Sequence, residues 1–135
     1  MVDSRAKGKR GELEAAEALG RIGLDCRRSA QYCGKAGDAD LQCDGVDLHV
    51  EVKLTERMNP YAFIAQAVED SRPTRRVPIV VARSSYKPWL VILRLDDVPR
   101  FVEEMNRADS QVRPALEGQA DEPQGLPRKP MADHA

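Results

Sequence analysis

The chain has 135 residues, of which 41% are hydrophobic and 32% are charged, and this length is enough for one domain with one core. No apolar run approaches the ~20 residues that a membrane-spanning helix needs. The N-terminus lacks the apolar segment of a secretory signal, so we expect a cytoplasmic protein. The formal net charge of −1 excludes no class of partner by itself.

The charges are unevenly distributed along the chain. Residues 109–135 contain three basic and five acidic residues, a net charge of −2, so the rest of the chain carries +1. Basic residues cluster within residues 5–10, 27–28 and 72–76. Such clusters can follow a phosphate backbone even when the net charge is near zero, although Lys and Arg are also ordinary surface residues.

The three cysteines are Cys26, Cys33 and Cys43, and they form no C-x-x-C pair. Their odd number favours reduced thiols in a cytoplasmic protein, with a zinc site as the alternative.

The first predicted element is a helix over residues 9–23, which ends near Gly23. Its predicted core stripe is Leu13, Ala16, Leu19 and Ile22. A short strand follows within residues 24–30, and then a loop over residues 31–38. Residues 39–55 alternate between apolar and polar side chains around Asp44-Gly45, which predicts a β-hairpin.

A second helix is predicted over residues 59–71, with Asn59 as its N-cap and Pro60 at its first position. Its predicted core stripe is Tyr61, Ile64, Ala65 and Val68. Residues 77–83 are almost continuously apolar, which is typical of a buried central strand. Residues 88–95 predict a further strand that begins near Trp89.

A final helix is predicted over residues 96–107, with its apolar side formed by Phe101, Val102 and Met105. The order αβββαββα predicts an α/β or α+β fold, with a mixed sheet flanked by helices. We expect one domain over residues 1–108. Residues 109–135 are rich in Pro, Gly and charge and predict a disordered tail.

The hairpin carries the residues with catalytic potential. Glu51 and Lys53 lie two apart in a strand and therefore project from one face, and hairpin pairing can bring Asp40 close to Glu51. Two converging carboxylates repel each other unless positive charge lies between them. Mg²⁺ with one or two carboxylate ligands supplies that charge, and Lys53 could then hold the attacking water or neutralise charge on a phosphate.

Each of these residues also has an ordinary interpretation. Glu-x-Lys is common on the solvent-facing side of an amphipathic strand, and an acid near a turn is unremarkable. A single histidine such as His49 is weak evidence for a metal ligand. The choice therefore depends on the rest of the chain.

The segment "GDADLQCDGVDLHVEVK" resembles the core motif of the PD-(D/E)XK nuclease superfamily. Asp40 stands at the first acid, and Glu51 and Lys53 stand at the second acid and the lysine. Ala39 replaces the proline that gives the superfamily its name. Asp38 lies two residues before Asp40 and is the alternative first acid, although Asp40 followed by Leu41 fits the pattern better.

The flanking segments extend this resemblance over roughly residues 5–106. The segment "KGKRGELEAAEALGRIG" is similar to the first helix of archaeal Holliday junction resolvases, where Glu12 matches a glutamate of the metal site. Residues 59–97 resemble small resolvase-like nucleases of phages and prophages. In those proteins a helix glutamine follows the Glu-x-Lys strand and an arginine follows the next strand, and Gln66 and Arg83 match these positions.

The resemblance implies a restriction-endonuclease-like core and a Mg²⁺-dependent DNA endonuclease, with Mn²⁺ as the alternative cofactor. It implies a four-way junction or another branched DNA as substrate, a role in DNA recombination and repair, and a homodimer that makes two nicks. The implied metal ligands are Asp40, Glu51 and Glu12, and Lys53 and Gln66 complete the catalytic set. The candidate DNA-binding residues are Lys7, Lys9, Arg10, Arg28, Lys35 and Arg83.

Two alternatives remain open from the sequence. One is a nuclease of the same fold with another substrate, such as a nickase or a repair or restriction-type endonuclease. The other is a DNA-binding module that has lost catalysis. The presence of Asp40, Glu51 and Lys53 together argues against the second alternative.

Overall fold

The computed structural model describes residues 4–29 and 39–117. Cys33, Lys35, Asp38 and residues 118–135 lie outside these ranges. Within them the predicted order of elements is confirmed, and the bounds are α1 Ser4–Arg21, β1 Cys26–Arg28, β2 Leu41–Cys43, β3 Leu48–Leu54, α2 Pro60–Ser71, β4 Val77–Arg83, β5 Leu90–Ile92 and α3 Val98–Glu117, with a 3₁₀ turn at Leu95–Asp97 before α3.

The strands form one mixed sheet in the order β1-β2-β3-β4-β5. Strands β3 and β4 are parallel, and the other neighbouring pairs are antiparallel. The predicted hairpin is confirmed as β2 and β3, in which Leu41 pairs with Val50. Its turn includes Gly45 at a φ of 75°, a conformation that glycine adopts without steric cost.

The two faces of the sheet are covered by different helices. Leu48 and Val50 of β3 pack with residues of α1 and α3 in the larger core cluster. Val80 and Ala82 of β4 pack on the other face with Ile64 of α2. Strand β4 is buried on both faces, which explains its almost continuous apolar sequence. None of the helices in the described ranges is long and apolar enough to cross a membrane.

The buried face of α1 differs from the predicted stripe. Leu13 and Ile22 are 51% and 54% exposed, whereas Ala15 and Leu19 are 0% and 3% exposed. The prediction was wrong because α1 carries apolar residues around most of its circumference, so spacing alone did not define the packed side. The observed face also includes Glu12, three residues before Ala15 and therefore on the same side of the helix.

The buried face of α2 also differs from the prediction. Tyr61 is 89% exposed and Ala65 is exposed, whereas Ile64, Ala67 and Ser71 are buried. The small side chains of Ala67 and Ser71 allow the helix to lie close to the sheet. The predicted helix start is confirmed, since the side chain of Asn59 accepts a hydrogen bond from the backbone N–H of Ala62 at 3.3 Å.

Two of the cysteines form a disulfide, so the expectation of reduced thiols was wrong for this pair. Cys26 and Cys43 are directly opposed in the register of β1 and β2, and their sulfur atoms are bonded. This bond joins two cysteines that are 17 residues apart in sequence, so it depends on a strand pairing that cysteine spacing does not reveal.

Helix α3 continues to Glu117, ten residues beyond its predicted end at Arg107. Residues 109–117 are therefore helical, where the sequence indicated the beginning of a disordered tail. The disorder of the remaining tail and the domain limits stay predictions, because residues 118–135 lie outside the described ranges.

Candidate active site

The hairpin register brings the two predicted acids together. Because Leu41 pairs with Val50, the next step along both arms places Asp40 beside Glu51. The Oδ2 atom of Asp40 accepts a hydrogen bond from the backbone N–H of Val52 at 2.8 Å. Glu51 is only 5% exposed. The two carboxyl groups therefore meet in a largely desolvated position.

The electrostatics of Asp40 reflect this crowding. Burial is the largest cause of the increase in the pKa of Asp40, from 3.8 to about 7, and the hydrogen bond from Val52 opposes it. The charge of Glu51 and a hydrogen bond shared with its carboxyl group raise the pKa further, and the charge of Glu12 adds a smaller increase. Asp40, Glu51 and Glu12 therefore form one electrostatic cluster, which we call the acid cluster.

Glu12 enters the acid cluster from the buried face of α1. It is 9% exposed, and it accepts a hydrogen bond from Nε of Arg28 at 2.8 Å. The preceding residue, Gly11, permits a close approach of α1 to β3, since a Cβ atom there would lie 3.2 Å from Cβ of Leu54. The absence of a side chain at Gly11 thus helps to place Glu12.

Lys53 lies beyond Glu51 on the same strand and is half-buried. Its Nζ atom is 3.5 Å from Oε1 of Gln66 and 5.5 Å from the centroid of the Phe63 ring. Lys53, Glu12 and Lys7 line one open depression of about 380 Å³. The structure therefore brings the predicted lysine, glutamine and first-helix glutamate to one side of the sheet end.

The predicted DNA-binding residues occupy different environments. Lys7 is half-buried in the depression, and Lys9 and Arg10 are exposed on α1. Arg28 is paired with Glu12. Arg83 donates a hydrogen bond from Nη2 to Oε2 of Glu14 at 3.1 Å and lies 5.1 Å from the Trp89 ring centroid. The remaining candidate, Lys35, lies outside the described residues.

Two polar residues next to Glu51 were not predicted as part of the site. The Nε2 atom of His49 lies 2.8 Å from Oε1 of Glu51. Metal-ligating atoms of His49, Glu51 and Asp70 all lie within 4.8 Å of one another. Asp70 follows Gln66 by one helical turn, and this i, i+4 spacing was the available sequence signal for it.

The polar face of β3 is not exposed to solvent at its centre, contrary to the interpretation of the alternating pattern. His49 is 2% and Glu51 is 5% exposed, because α2 packs across this face. Only Lys53, at the far end of the strand, is partly exposed. The alternating pattern of β3 therefore distinguishes an apolar buried face from a polar buried face.

The residues of the acid cluster fit a hard divalent cation. Carboxylate oxygens are the ligands that Mg²⁺ and Mn²⁺ favour, and the raised pKa of Asp40 reports negative charge that a cation would offset. Asp40 and Glu51 would hold such an ion, with Glu12 beside them. A larger concavity of about 880 Å³, between α2 and the β5 edge, is lined by none of these acids.

A mixed sheet with Asp40 and Glu51 on one hairpin, followed by Lys53, defines the class of nucleases with a restriction-endonuclease-like fold. Residues 3–119 match the family described as "Phage putative PDDEXK endonuclease". The chain belongs to this family, so it is a nuclease of the PD-(D/E)XK type.

The fold also resembles a solved structure. A Holliday junction resolvase from the archaeal hyperthermophile Archaeoglobus fulgidus superposes with a TM-score of 0.50 at 20% sequence identity, covering 64% of this chain and 72% of that chain. This similarity confirms the predicted fold. No curated protein matches the sequence.

Proposed function

We propose that the chain is a Mg²⁺-dependent endonuclease that hydrolyses phosphodiester bonds in branched DNA, with a four-way junction as its preferred substrate. The observation that carries this proposal is the acid cluster, in which Asp40, Glu51 and Glu12 interact electrostatically. The cluster lies beside a depression that contains the amine of Lys53.

Asp40 and Glu51 hold the cation in this proposal, and Glu12 contributes directly or through a water molecule. Mn²⁺ is the alternative ion. When bound, the cation supplies Lewis-acid activation of water and offsets charge on the phosphodiester. The N–H of Val52 fixes the carboxylate of Asp40, and Arg28 fixes the carboxylate of Glu12, so both groups are oriented before DNA binds.

In this proposal Lys53 acts on the reacting phosphate and Gln66 orients Lys53. The Nζ atom of Lys53 lies 3.5 Å from Oε1 of Gln66 and 5.5 Å from the centroid of the Phe63 ring, and these contacts orient the amine. From this position the ammonium group holds the attacking water or stabilises the charge that develops on the phosphate oxygens. Gln66 therefore serves as the residue that orients Lys53.

The basic residues near this sheet end supply phosphate contacts. Lys7, Lys9 and Arg10 lie on the first two turns of α1 and extend positive charge from the depression. Arg28 and Arg83 are further candidates for phosphate contacts, although each is paired with a glutamate. Lys35 lies outside the described residues and stays a candidate from the resemblance. Such contacts depend strongly on salt concentration.

Resolution of a four-way junction requires two nicks, so we propose a homodimer with one active site in each subunit. The solved structure with a similar fold is described as a Holliday junction resolvase, and this supports the choice of substrate. The enzyme would act in the cytoplasm of a bacterium or a phage-infected cell, in DNA recombination or repair.

A comparison of DNA substrates tests this proposal. We expect a labelled four-way junction to be cleaved in Mg²⁺ more than about tenfold faster than nicked, flapped or linear duplex DNA, a difference of about 1.4 kcal/mol in transition-state stabilisation. Equal cleavage of linear duplex would remove the resolvase role and favour a restriction-type or repair nuclease. Selective cutting of nicked DNA would favour a nickase.

A gel-shift assay with and without Mg²⁺ separates the enzyme from a catalytically silent binding module. We expect Asp40→Asn and Lys53→Ala to retain junction binding and to lose cleavage. Binding by all forms without cleavage by the wild type would favour the module.

A further inference from the structure

His49 is a polar residue in the middle of a buried strand. It is 2% exposed, although burial of an imidazole without a partner costs free energy. Its neighbours Leu48 and Val50 point to the opposite face of the sheet and belong to the larger apolar core. The partner of the imidazole must therefore lie on the face of the sheet that α2 covers.

On that side His49 contacts Glu51, the second acid of the acid cluster. Nε2 of His49 lies 2.8 Å from Oε1 of Glu51, and both side chains are almost completely buried. Because a carboxylate only accepts hydrogen bonds, the imidazole donates its Nε2 hydrogen. Asp70 of α2 also approaches this pair, with a carboxylate oxygen within 4.8 Å of both partners.

We propose that His49, supported by Asp70, is a positioning residue that fixes the carboxylate of Glu51 for cation binding. This inference rests on the proposed function, in which Glu51 holds the cation. The imidazole restrains one carboxylate oxygen of Glu51, so the group cannot rotate away when the cation is absent. Asp70 favours the imidazole orientation that donates to Glu51, because a nearby negative charge stabilises the polarised ring.

A separate cation at His49, Glu51 and Asp70 is the competing arrangement. The 2.8 Å separation between His49 and Glu51 satisfies both groups by a direct hydrogen bond. Asp40 lies beside Glu51 because Leu41 pairs with Val50, and the proposed function places the cation at these two acids. The imidazole of His49 then contacts Glu51 through the direct hydrogen bond and not through the ion.

Cation binding to the metal-free protein tests the positioning role. We expect His49→Leu to weaken Mn²⁺ binding, measured by calorimetry, by about 10- to 100-fold, the usual effect of removing a group that orients a metal ligand. His49→Gln places an amide N–H near the position of Nε2 and should restore most of the affinity. Asp70→Asn should produce a smaller loss than His49→Leu, with an unchanged thermal unfolding temperature.

Unchanged Mn²⁺ affinity in folded His49→Leu would overturn the positioning role while leaving the nuclease proposal intact. Equal losses in His49→Leu and His49→Gln would also overturn it, because a general packing defect would then explain both. Failure of the wild type to bind Mn²⁺ or Mg²⁺ would overturn the proposed function together with this inference. The wild-type control thus separates the two failures.

A spectroscopic measurement on the wild-type protein tests the same role of His49 without a substitution at position 49. The chain has two histidines, His49 and His134, so a ¹⁵N spectrum of the imidazole nitrogens contains two rings, and His134→Ala assigns them. We expect the Nε2 hydrogen of His49 to be present in the metal-free protein and to persist at saturating Mg²⁺. Its loss on cation binding would make His49 a ligand and overturn the positioning role.

Discussion

Both ends of the β2–β3 hairpin contain acidic side chains close to arginines. The acidic charges are balanced by arginines at one end and are crowded together at the other. At the turn end, Asp44 is hydrogen-bonded to Arg27, and Asp47 lies 3.5 Å from Nη1 of Arg107. All four side chains are at least half exposed. At the other end, the acid cluster is largely buried.

The difference lies in charge balance. Each aspartate at the turn end faces an arginine in water, so neither requires a further cation. In the acid cluster, Arg28 pairs directly with Glu12, whereas Asp40 and Glu51 share a hydrogen bond between two acids, and the pKa of Asp40 rises to about 7. Crowding of this kind is typical of functional sites, and the cation of the proposed function would offset it.

The largest expected difference between the two ends of the hairpin is the effect on DNA cleavage of removing a single carboxylate charge. We expect Asp40→Asn or Glu51→Gln to reduce DNA cleavage by more than about 100-fold, since loss of a ligand exceeds the usual effect of an outer-sphere change. Asp44→Asn, the matched change at the exposed end, should retain wild-type rates. Initial rates on a labelled junction measure both effects. A comparable loss in Asp44→Asn would contradict a specific role of the acid cluster in cleavage.

The raised pKa of Asp40 predicts a pH dependence that the turn end lacks. Cation binding must displace the Asp40 proton below pH 7, so affinity should fall by up to about tenfold per pH unit below that value. Calorimetric Mg²⁺ titrations at pH 6 and pH 8 measure this effect, with tighter binding expected at pH 8. Equal affinities at the two pH values would contradict the assignment of Asp40 as a ligand.

The same pKa fixes the sign of a stability effect in the metal-free protein. Because the native state retains the Asp40 proton to a higher pH than the unfolded chain, this contribution to stability is complete below pH 3.8 and is lost as pH rises to about 7. In Asp40→Asn this component should disappear from the pH profile of chemical denaturation.

Substitutions of the two neighbouring arginines of β1 should also differ, by a smaller amount, in their effect on the free energy of unfolding. We expect Arg28→Ala to lower the free energy of unfolding by about 1–3 kcal/mol, because it leaves the buried carboxylate of Glu12 without its donor. Arg27→Ala removes an exposed partner of Asp44 and should change stability little. Urea denaturation of both variants decides this point, and equal effects would indicate that Glu12 finds another donor.

The approach of α1 to the sheet can be tested with two glycines of the same helix. We expect Gly11→Val to destabilise the protein by about 1–3 kcal/mol, because its side chain would press against Leu54. Gly8 has open space around it, so Gly8→Ala should stabilise the helix by about 0.5–1 kcal/mol. Thermal unfolding measures both, and a stabilised Gly11→Val would contradict the close packing.

The sequence predicted the hairpin and its acids because local signals specify them. The Asp44-Gly45 turn and the alternation of β3 determine which residues oppose each other, and this pairing brings Asp40 to Glu51. The almost continuously apolar sequence of β4 and the N-cap residue Asn59 were also predicted from local signals. These features depend on neighbouring residues and therefore remain visible without a structure.

The features that the sequence did not predict depend on distant contacts. The burial of His49 requires α2 to pack over β3, and the Cys26–Cys43 bond requires β1 to pair with β2. Leu13 and Ile22 are as apolar as Leu19, so only the docking of α1 determines which of them is buried. Glu12 was matched by resemblance, whereas its contact with Arg28 became apparent only from the fold.

In the proposed function, the acid cluster holds the catalytic cation. Anomalous diffraction from crystals grown with Mn²⁺ locates that ion directly. We predict one peak per active site, within about 2.0–2.4 Å of carboxylate oxygens of both Asp40 and Glu51. A strong peak bound elsewhere, or no peak at an Mn²⁺ concentration that supports cleavage, would contradict cation binding by Asp40 and Glu51.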